Sequence, residues 1–270
     1  MPLSLIDYHL HTHFSVDGRA SPAEMCLAAL QAGVQEIGFN EHFDLHWNEP
    51  FPNWFRPEPW FVELQNCRDQ FAAQGLILRA GIEIGEPHLF SEETHSLLAA
   101  YPFDYALGSV HFIGTGESAF DTGYFTKYGP RQGFTLYFEE LTRMTAAGGF
   151  DILAHFDVAA RLYSGPEYTY DPRDYADLIR TALRNCVEHG IVLEINTAGL
   201  RKPARVLNPG RQILEWYVEL GGTSVTLGSD GHRPHQAGFA LEQAYRTAQA
   251  AGVRSLAHFE HRQISEQTIL

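Results

Sequence analysis

Short apolar runs recur along the chain, each giving way to a polar cluster and then to an amphipathic stretch. The runs Leu3–Tyr8, Glu36–Asn40, Leu76–Glu83, Tyr105–Ser109, Asp151–Ala154, Ile191–Ile195 and Ser224–Leu227 have the length and composition of strands. Helix-start chemistry lies between them. Ser21-Pro22-Ala23-Glu24 predicts a capping box with proline in the first helical position, opening a helix that Gly33 closes. Asp171-Pro172 opens another, in which Tyr175, Leu178, Ile179, Ala182, Leu183 and Cys186 return to one face with helical period. His189-Gly190 ends it, a polar residue followed by the glycine that helix C-termini favour. Strands alternating with helices predict parallel βαβ units. No GxGxxG or GxxxxGK[ST] follows any strand, so a closed or distorted barrel fits better than an open nucleotide-binding sheet. Asp44–Pro59, rich in Trp, Phe, Pro and Asn, reads as a long loop. Its Trp47, Phe51, Trp54 and Phe55 either shield a site or pack over a helix. No linker divides the chain, so residues 1–270 read as one domain.

Composition narrows the class. A chain of 270 residues buries a sizeable core without disulfides or a structural metal. Its 44% hydrophobic and 19% charged content excludes a disordered chain and a coiled coil. No apolar run approaches the ~18 residues of a membrane helix. The opening MPLSLIDYHLHTH lacks the basic and apolar parts of an export signal, so a cytoplasmic location is expected. Cys26, Cys67 and Cys186 form neither a disulfide framework nor a metal knuckle; buried packing in a reducing compartment is the plain reading. A formal charge of −14 argues against a nucleic-acid or membrane-surface partner, since phosphate backbones select basic faces.

The 14 histidines change the picture through where they fall. Strand one runs into Asp7-Tyr8-His9-Leu10-His11, and in an extended chain positions i and i+2 point the same way, so His9 and His11 can clamp one ion. His11 with His13 is the competing register; His9 continues the strand directly, and Asp7 then orients a ligand. Later strands end at Glu41-His42, Gly81-Ile82-Glu83, Ser109-Val110-His111, Ala154-His155 and Ser229-Asp230-Gly231-His232, and Asp17 follows the first pair. The C-terminal ends of parallel strands are where α/β folds carry chemistry. One histidine after a strand is ordinarily a hydrogen-bonded loop residue. Imidazole and carboxylate at nearly every strand end, with no cysteine among them, point instead to Zn, Mn or Fe in a reactive site. The other histidines carry no such pattern: His189 fits a helix end, His95 a helix, and His258 and His261 the C-terminal tail, while His46, His88 and His235 fall in loops where surface placement is the default.

This order (HxH, an Asp, an EH pair, a Glu, separate histidines and a closing D-x-H) resembles the polymerase-and-histidinol-phosphatase, or PHP, family across most of the chain. The resemblance implies a TIM-like, distorted (β/α)7 barrel holding three divalent ions. It implies His9, His11, Glu83 and Asp230 at one ion, a bridging Glu83 with His111 and His155 at a second, and Asp17, His42 and His232 at a third. Gly81-Ile82-Glu83-Ile84-Gly85-Glu86-Pro87, Gly108-Ser109-Val110-His111-Phe112 and Ala154-His155-Phe156-Asp157 look most like the stand-alone histidinol-phosphate phosphatases of that family. The implied activity is hydrolysis of L-histidinol phosphate, in histidine biosynthesis, by metal-activated hydroxide.

Three divalent ions against three carboxylates leave a cationic pit in an acidic protein, suited to a small phosphorylated metabolite. Arg161, after His155, and Arg201, after the one strand lacking a candidate ligand, are placed to fork phosphate oxygens, with Asn196 as a further substrate contact by position. No general acid for the leaving alkoxide is legible. The alternatives are another small ester, such as a nucleotide or phosphotyrosine, amide or lactone hydrolysis, and a barrel that binds metal without turnover. No lysine follows a strand to bridge two metals, which weighs against amide or lactone chemistry.

Overall fold

The alternation of strand and helix is realised in the computed structural model, which describes residues 5–269 apart from 115, 122, 164 and 166. The strands are β1 (Ile6–Leu10), β2 (Glu36–Phe43), β3 (Ile77–Gly85), β4 (Tyr105–Ser109), β5 (Ile152–Leu153), β6 (Val192–Asn196), β7 (Ser224–Gly228), β8 (Ser255–Glu260) and β9 (Gln263–Thr268). The helices are α1 (Pro22–Gln31), α2 (Pro57–Phe71), α3 (Ser91–Ala100), α4 (Tyr124–Tyr128), α5 (Pro130–Ala147), α6 (Ala159–Leu162), α7 (Ala176–His189), α8 (Arg211–Glu219) and α9 (Leu241–Ala250). Neighbouring strands pair in chain order, parallel from β1 to β8, with β9 antiparallel on β8. Strand residues are buried almost throughout β1–β7, as expected of a sheet covered by helices on its outside.

The sheet curls until β1 meets β7. The bridge between Leu10 and Gly231 joins them, with His11 N–H donating to the Gly231 carbonyl at 2.9 Å. Asp7 completes the seam. Its carboxylate accepts from Ser229 N–H at 2.8 Å, Ser229 Oγ at 2.6 Å and Gly238 N–H at 2.8 Å. Asp7 therefore orients the chain leading to Asp230, not a ring of the HxH pair as the sequence suggests.

Local expectations are largely met. Ser21 and Glu24 form the reciprocal capping box of α1, and Gly33 follows the helix at φ +79°. Asp171 caps a short 3₁₀ turn that leads into α7, whose Ile179, Ala182, Leu183 and Cys186 are buried and whose end is Gly190 at φ +69°. Cys26, Cys67 and Cys186 are buried, as their apolar settings predict.

Some boundaries move. Strand β1 starts at Ile6, so His9 lies inside it; Leu3 and Ser4 of the predicted strand lie outside the described residues. The aromatic loop ends before Pro57, because Pro57 and Pro59 sit in the first turn of α2, where a missing N–H costs nothing. Phe55 packs on Trp60 and Phe103, whereas Trp47, Phe51 and Trp54 stay exposed. The C-terminal tail is a hairpin, β8–β9, lying across the N-terminal ends of the earlier strands. His258 meets Glu36 at 2.9 Å, Arg262 forks Asp151 at 2.9 Å through two nitrogens, and His261 N–H donates to Asp104 at 3.0 Å. Gln263–Thr268 is exposed at every position and carries no alternating apolar signal, so it does not read as a strand.

Candidate metal centre

At the opposite end, the strand termini deliver their polar side chains to one point. His42 pairs with Glu83 in the parallel register of β2 and β3, so both side chains leave the sheet on the same side. Glu83, buried to 1% exposure, is the hub. Its Oε2 lies 3.2 Å from His9 Nε2, 3.4 Å from His11 Nε2 and 3.1 Å from His42 Nδ1. Its Oε1 lies 2.9 Å from His155 Nε2 and 3.3 Å from His111 Nε2. One carboxylate thus faces two groups of imidazoles, one on each oxygen. Asp230 Oδ1 stands 3.8 Å from His11 Nε2 and 3.5 Å from His232 Nδ1. Asp17 completes an outer edge, 3.7 Å from His42 Nε2 and 3.0 Å from His232 Nε2. Every residue of the predicted ligand set is brought together. His13 is exposed beside Phe14, which leaves His9 and His11 as the inward pair.

The donor set fits divalent cations on an observation of its own. His11 Nε2, His42 Nδ1 and His232 Nε2 are buried without a hydrogen bond, although carboxylate oxygens stand 3.0 to 3.8 Å away. Buried polar atoms left this way are costly unless something else occupies the space between them. Three triads, His9/His11/Glu83, His42/Glu83/His111 and His11/His42/His232, each present ligand atoms within 4.8 Å of one another. His42 reaches both ways, toward Glu83 and toward Asp17.

The electrostatics run the same way. Burial opposes charge on His9, but Glu194 and Glu83 outweigh it and hold its pKa well above the ordinary value. His42, beside Glu83 and Asp17, and His111, beside Asp44 and Glu83, are raised against the same penalty. His11, stacked between His42 and His232, is lowered by burial and by those two neighbours. Glu83 and Asp230 are held far below the usual carboxylate range despite burial, Glu83 by its histidines and Asp230 by Arg161 first. The site concentrates positive charge around carboxylates that stay ionised. Backbone strain gathers here too: Glu86, His155 and Asp230 take φ of 46°, 27° and 52° at the ends of β3, β5 and β7.

A cavity of about 450 Å³ opens on this cluster, lined by Asp17, His42, Glu83, His111, His155 and Asp230. Arg161, Arg201 and Lys202 line it as well. Arg161 donates to Asp230 Oδ2 and Arg201 to the Asp230 carbonyl, each at 2.9 Å. Asn196 is not brought to the cavity. It is fully buried, donating to Glu194 at 3.1 Å and to Asp230 Oδ2 at 3.4 Å and accepting from Ala198 N–H at 2.9 Å, because it lies within β6 and not beyond it, so it meets the site only through Asp230. A second cavity of about 700 Å³ shares Asp17, His42, His111 and Phe120 and is otherwise lined by Asp44, Glu49, Asp121 and neighbouring residues.

Sequence reasoning missed the residues behind the cluster. Asp44 receives His111 Nδ1 at 2.9 Å, and Glu194 receives His9 Nδ1 at 2.7 Å. Glu41 accepts from Thr12 N–H, Thr12 Oγ1, Ser15 Oγ and Trp60 Nε1, and Glu86 accepts the N–H groups of His111 and Phe112. Lys202 was legible only as the residue after Arg201. Two loop histidines are also not on the surface. His46 is fully buried between the rings of Trp47 and Phe112, and His88 is bonded to the buried Glu140 at 2.6 Å.

Residues 7–198 match the family model described as the PHP domain. The chain belongs to the PHP family. This PHP protein is 31% identical over 264 residues to a probable histidinol-phosphatase of Clostridium acetobutylicum, covering 96% of this chain and 98% of that one. It is 30% identical over 276 residues to a probable histidinol-phosphatase of Deinococcus radiodurans, with the same coverage of 96% and 98%. Its fold matches the crystal structure of the histidinol phosphate phosphatase of Lactococcus lactis, complexed with zinc, L-histidinol and phosphate. That match has a TM-score of 0.88 and 24% identity and covers 97% of this chain and 99% of that one.

Proposed function

We propose that this PHP protein is a metal-dependent phosphomonoesterase that hydrolyses L-histidinol phosphate to L-histidinol and phosphate, a step of histidine biosynthesis. The observation that carries the reading is one cavity lined both by Glu83 with its imidazoles and by three cationic side chains, Arg161, Arg201 and Lys202, two of which bond to Asp230 of the same cluster. The two probable histidinol-phosphatases, alike along nearly their whole length, support the substrate.

In this reading His9, His11, Glu83 and Asp230 hold one divalent ion, Glu83, His111 and His155 a second, and Asp17, His42 and His232 a third. Zinc is the first candidate, with manganese and iron equally suited to the donors. Ions bound there supply Lewis-acid charge and bring the pKa of water from ~15.7 toward ~7. The chain's own contribution is orientation. Glu83 offers one oxygen to each group of histidines, Asp44 and Glu194 turn the His111 and His9 rings toward it, and the two arginines and Lys202 bind the phosphoryl oxygens. The cationic wall stabilises charge on those oxygens as the ester bond breaks. The second cavity, with Asp44, Glu49 and Asp121, suits an alcohol that carries an ammonium and an imidazole. We take residues 1–270 as one catalytic domain working in the cytoplasm; among the described residues no helix is long and apolar enough to cross a membrane.

The test is phosphate release by metal-replete protein on L-histidinol phosphate beside AMP, phosphotyrosine and p-nitrophenyl phosphate. The expected result is a kcat/KM for L-histidinol phosphate ~10²-fold or more above the rest, about 2.7 kcal/mol of discrimination. Equal rates on all four esters would remove the substrate and leave a general phosphatase. No release from metal-loaded protein would overturn the reading.

A further inference from the structure

We infer that Glu194 is a positioning residue that grips, from behind, the same two histidines that Glu83 meets in front, and so fixes how Glu83 is divided between ions. This rests on the metal-site reading above. Among β1–β7, β6 is the strand whose end carries no candidate ligand, yet its Glu194 is fully buried directly behind the cluster. Its Oε1 lies 2.7 Å from His9 Nδ1, and its Oε2 accepts His155 N–H at 2.7 Å and Asn196 Nδ2–H at 3.1 Å. The far sides of those histidines face Glu83, His9 Nε2 on Oε2 at 3.2 Å and His155 Nε2 on Oε1 at 2.9 Å. Two carboxylates bracket one pair of histidines.

Each contact has a consequence for a cation. A neutral His9 that donates Nδ1–H to Glu194 has its lone pair on Nε2, the nitrogen that faces Glu83. The His155 backbone sits at φ +27°, a conformation that L residues rarely adopt, and a charge-assisted bond to its N–H holds it there with the ring turned inward. The chain also makes room for this carboxylate. A Cβ on Gly228 would lie 1.9 Å from Glu194 Oε1 and 2.6 Å from His9 Cβ, so only glycine admits Glu194 at that place. A glutamine cannot replace it, because its amide has one accepting atom for donors that arrive on two.

A purely structural carboxylate would matter for stability and leave the His9 tautomer and the metal content unchanged. The experiment is therefore zinc titration of chelator-stripped wild type, Glu194→Gln and Gly228→Ala against a competing chelator, with bound zinc counted by elemental analysis. Alongside it, long-range ¹H–¹⁵N spectra of the zinc-loaded wild type report the His9 tautomer. Expected are zinc affinity ~10–100-fold weaker in both variants, a kcat that falls more than KM changes, and an Nδ1–H tautomer for His9 in the wild type. Wild-type affinity and zinc content in Glu194→Gln would overturn the inference. So would an Nε2–H tautomer in the wild type, which decides the matter even if neither variant folds. A wild type that takes up no zinc, manganese or iron would sink the metal-site reading, and this inference with it.

Discussion

Arg161 donates to Asp230 at 2.9 Å, and both side chains are buried where the cluster meets the cationic wall. The sequence places Arg161 as a phosphate fork alone; the structure gives it a carboxylate of the site as well. Removing it strips a charge-assisted bond from a buried carboxylate, an effect of about 1.5–3 kcal/mol. Arg161→Ala is expected to lower kcat/KM ~10²-fold and to reduce bound metal, measured by steady-state kinetics and elemental analysis. Unchanged metal content would show that Asp230 keeps its place without Arg161.

Arg201 touches Asp230 differently. Its Nη2 donates to the Asp230 backbone carbonyl, and Nη1 is buried without a hydrogen bond on the cavity wall. Burial lowers its pKa, a desolvation cost that a bound anion would offset. Arg201→Ala should raise KM ~10-fold or more, about 1.4 kcal/mol, with metal content at the wild-type level. Loss of metal in this variant would move Arg201 from the substrate to the scaffold.

The contrast between these arginines shows where sequence reading stops. His9, His11, His42, Glu83, His111, His155 and Asp230 were legible because strand ends are fixed by short-range pattern, and the residues just past parallel strands gather at one face of the fold. Strand β4 is recovered residue for residue. The partners behind the ligands were not legible, because Glu194 lies in mid-strand and Asp44 opens a loop, positions whose significance depends on neighbours distant in sequence. Glu194 and His9 are joined only once β6 and β1 face each other across the curled sheet. Asn196 shows the sensitivity to a strand end: the sequence puts it just past β6, but one more residue of strand buries it, where its amide reaches Asp230 and not the cavity. Strand β9 escaped for a third reason, since an exposed edge strand needs no apolar alternation.

The seam between β1 and β7 offers a test of the fold itself. Asp7 is fully buried and receives three donors from beyond β7. Asp7→Ala leaves those donors without an acceptor in the interior, at about 1–3 kcal/mol each where water cannot enter. Denaturant unfolding should show a loss of about 3 kcal/mol or more, with Asp7→Asn closer to wild type because it keeps one accepting oxygen. A loss below ~1 kcal/mol in Asp7→Ala would mean that the Leu10–Gly231 bridge holds the seam alone.

Removing the metals should make the protein's stability depend on pH. In the metal-free chain His9, His42 and His111 have pKa values raised above the ordinary 6.5, and their protonated rings face Glu83. A raised histidine contributes stability that is complete below its unfolded pKa and is lost as pH climbs through the folded value. Glu83, lowered from 4.5, and Asp230, lowered from 3.8, contribute in the other sense: their stability is present above those values and lost as pH falls. In chelated protein the pairing of these rings with Glu83 should therefore contribute most between about pH 4.5 and 6.5 and fade as pH rises above it. His11 and His155, lowered chiefly by burial, act in the opposite sense and favour the higher pH. Divalent ions need the rings neutral, so binding releases protons and tightens as pH rises. Metal-loaded protein should hold its Tm across that same range, and at ~1,000 times Kd each ion adds about 4 kcal/mol. Thermal melts at pH 5, 7 and 9, with and without chelator, read this directly. Parallel curves for the two forms would show that the rings and Glu83 are not where the cations bind.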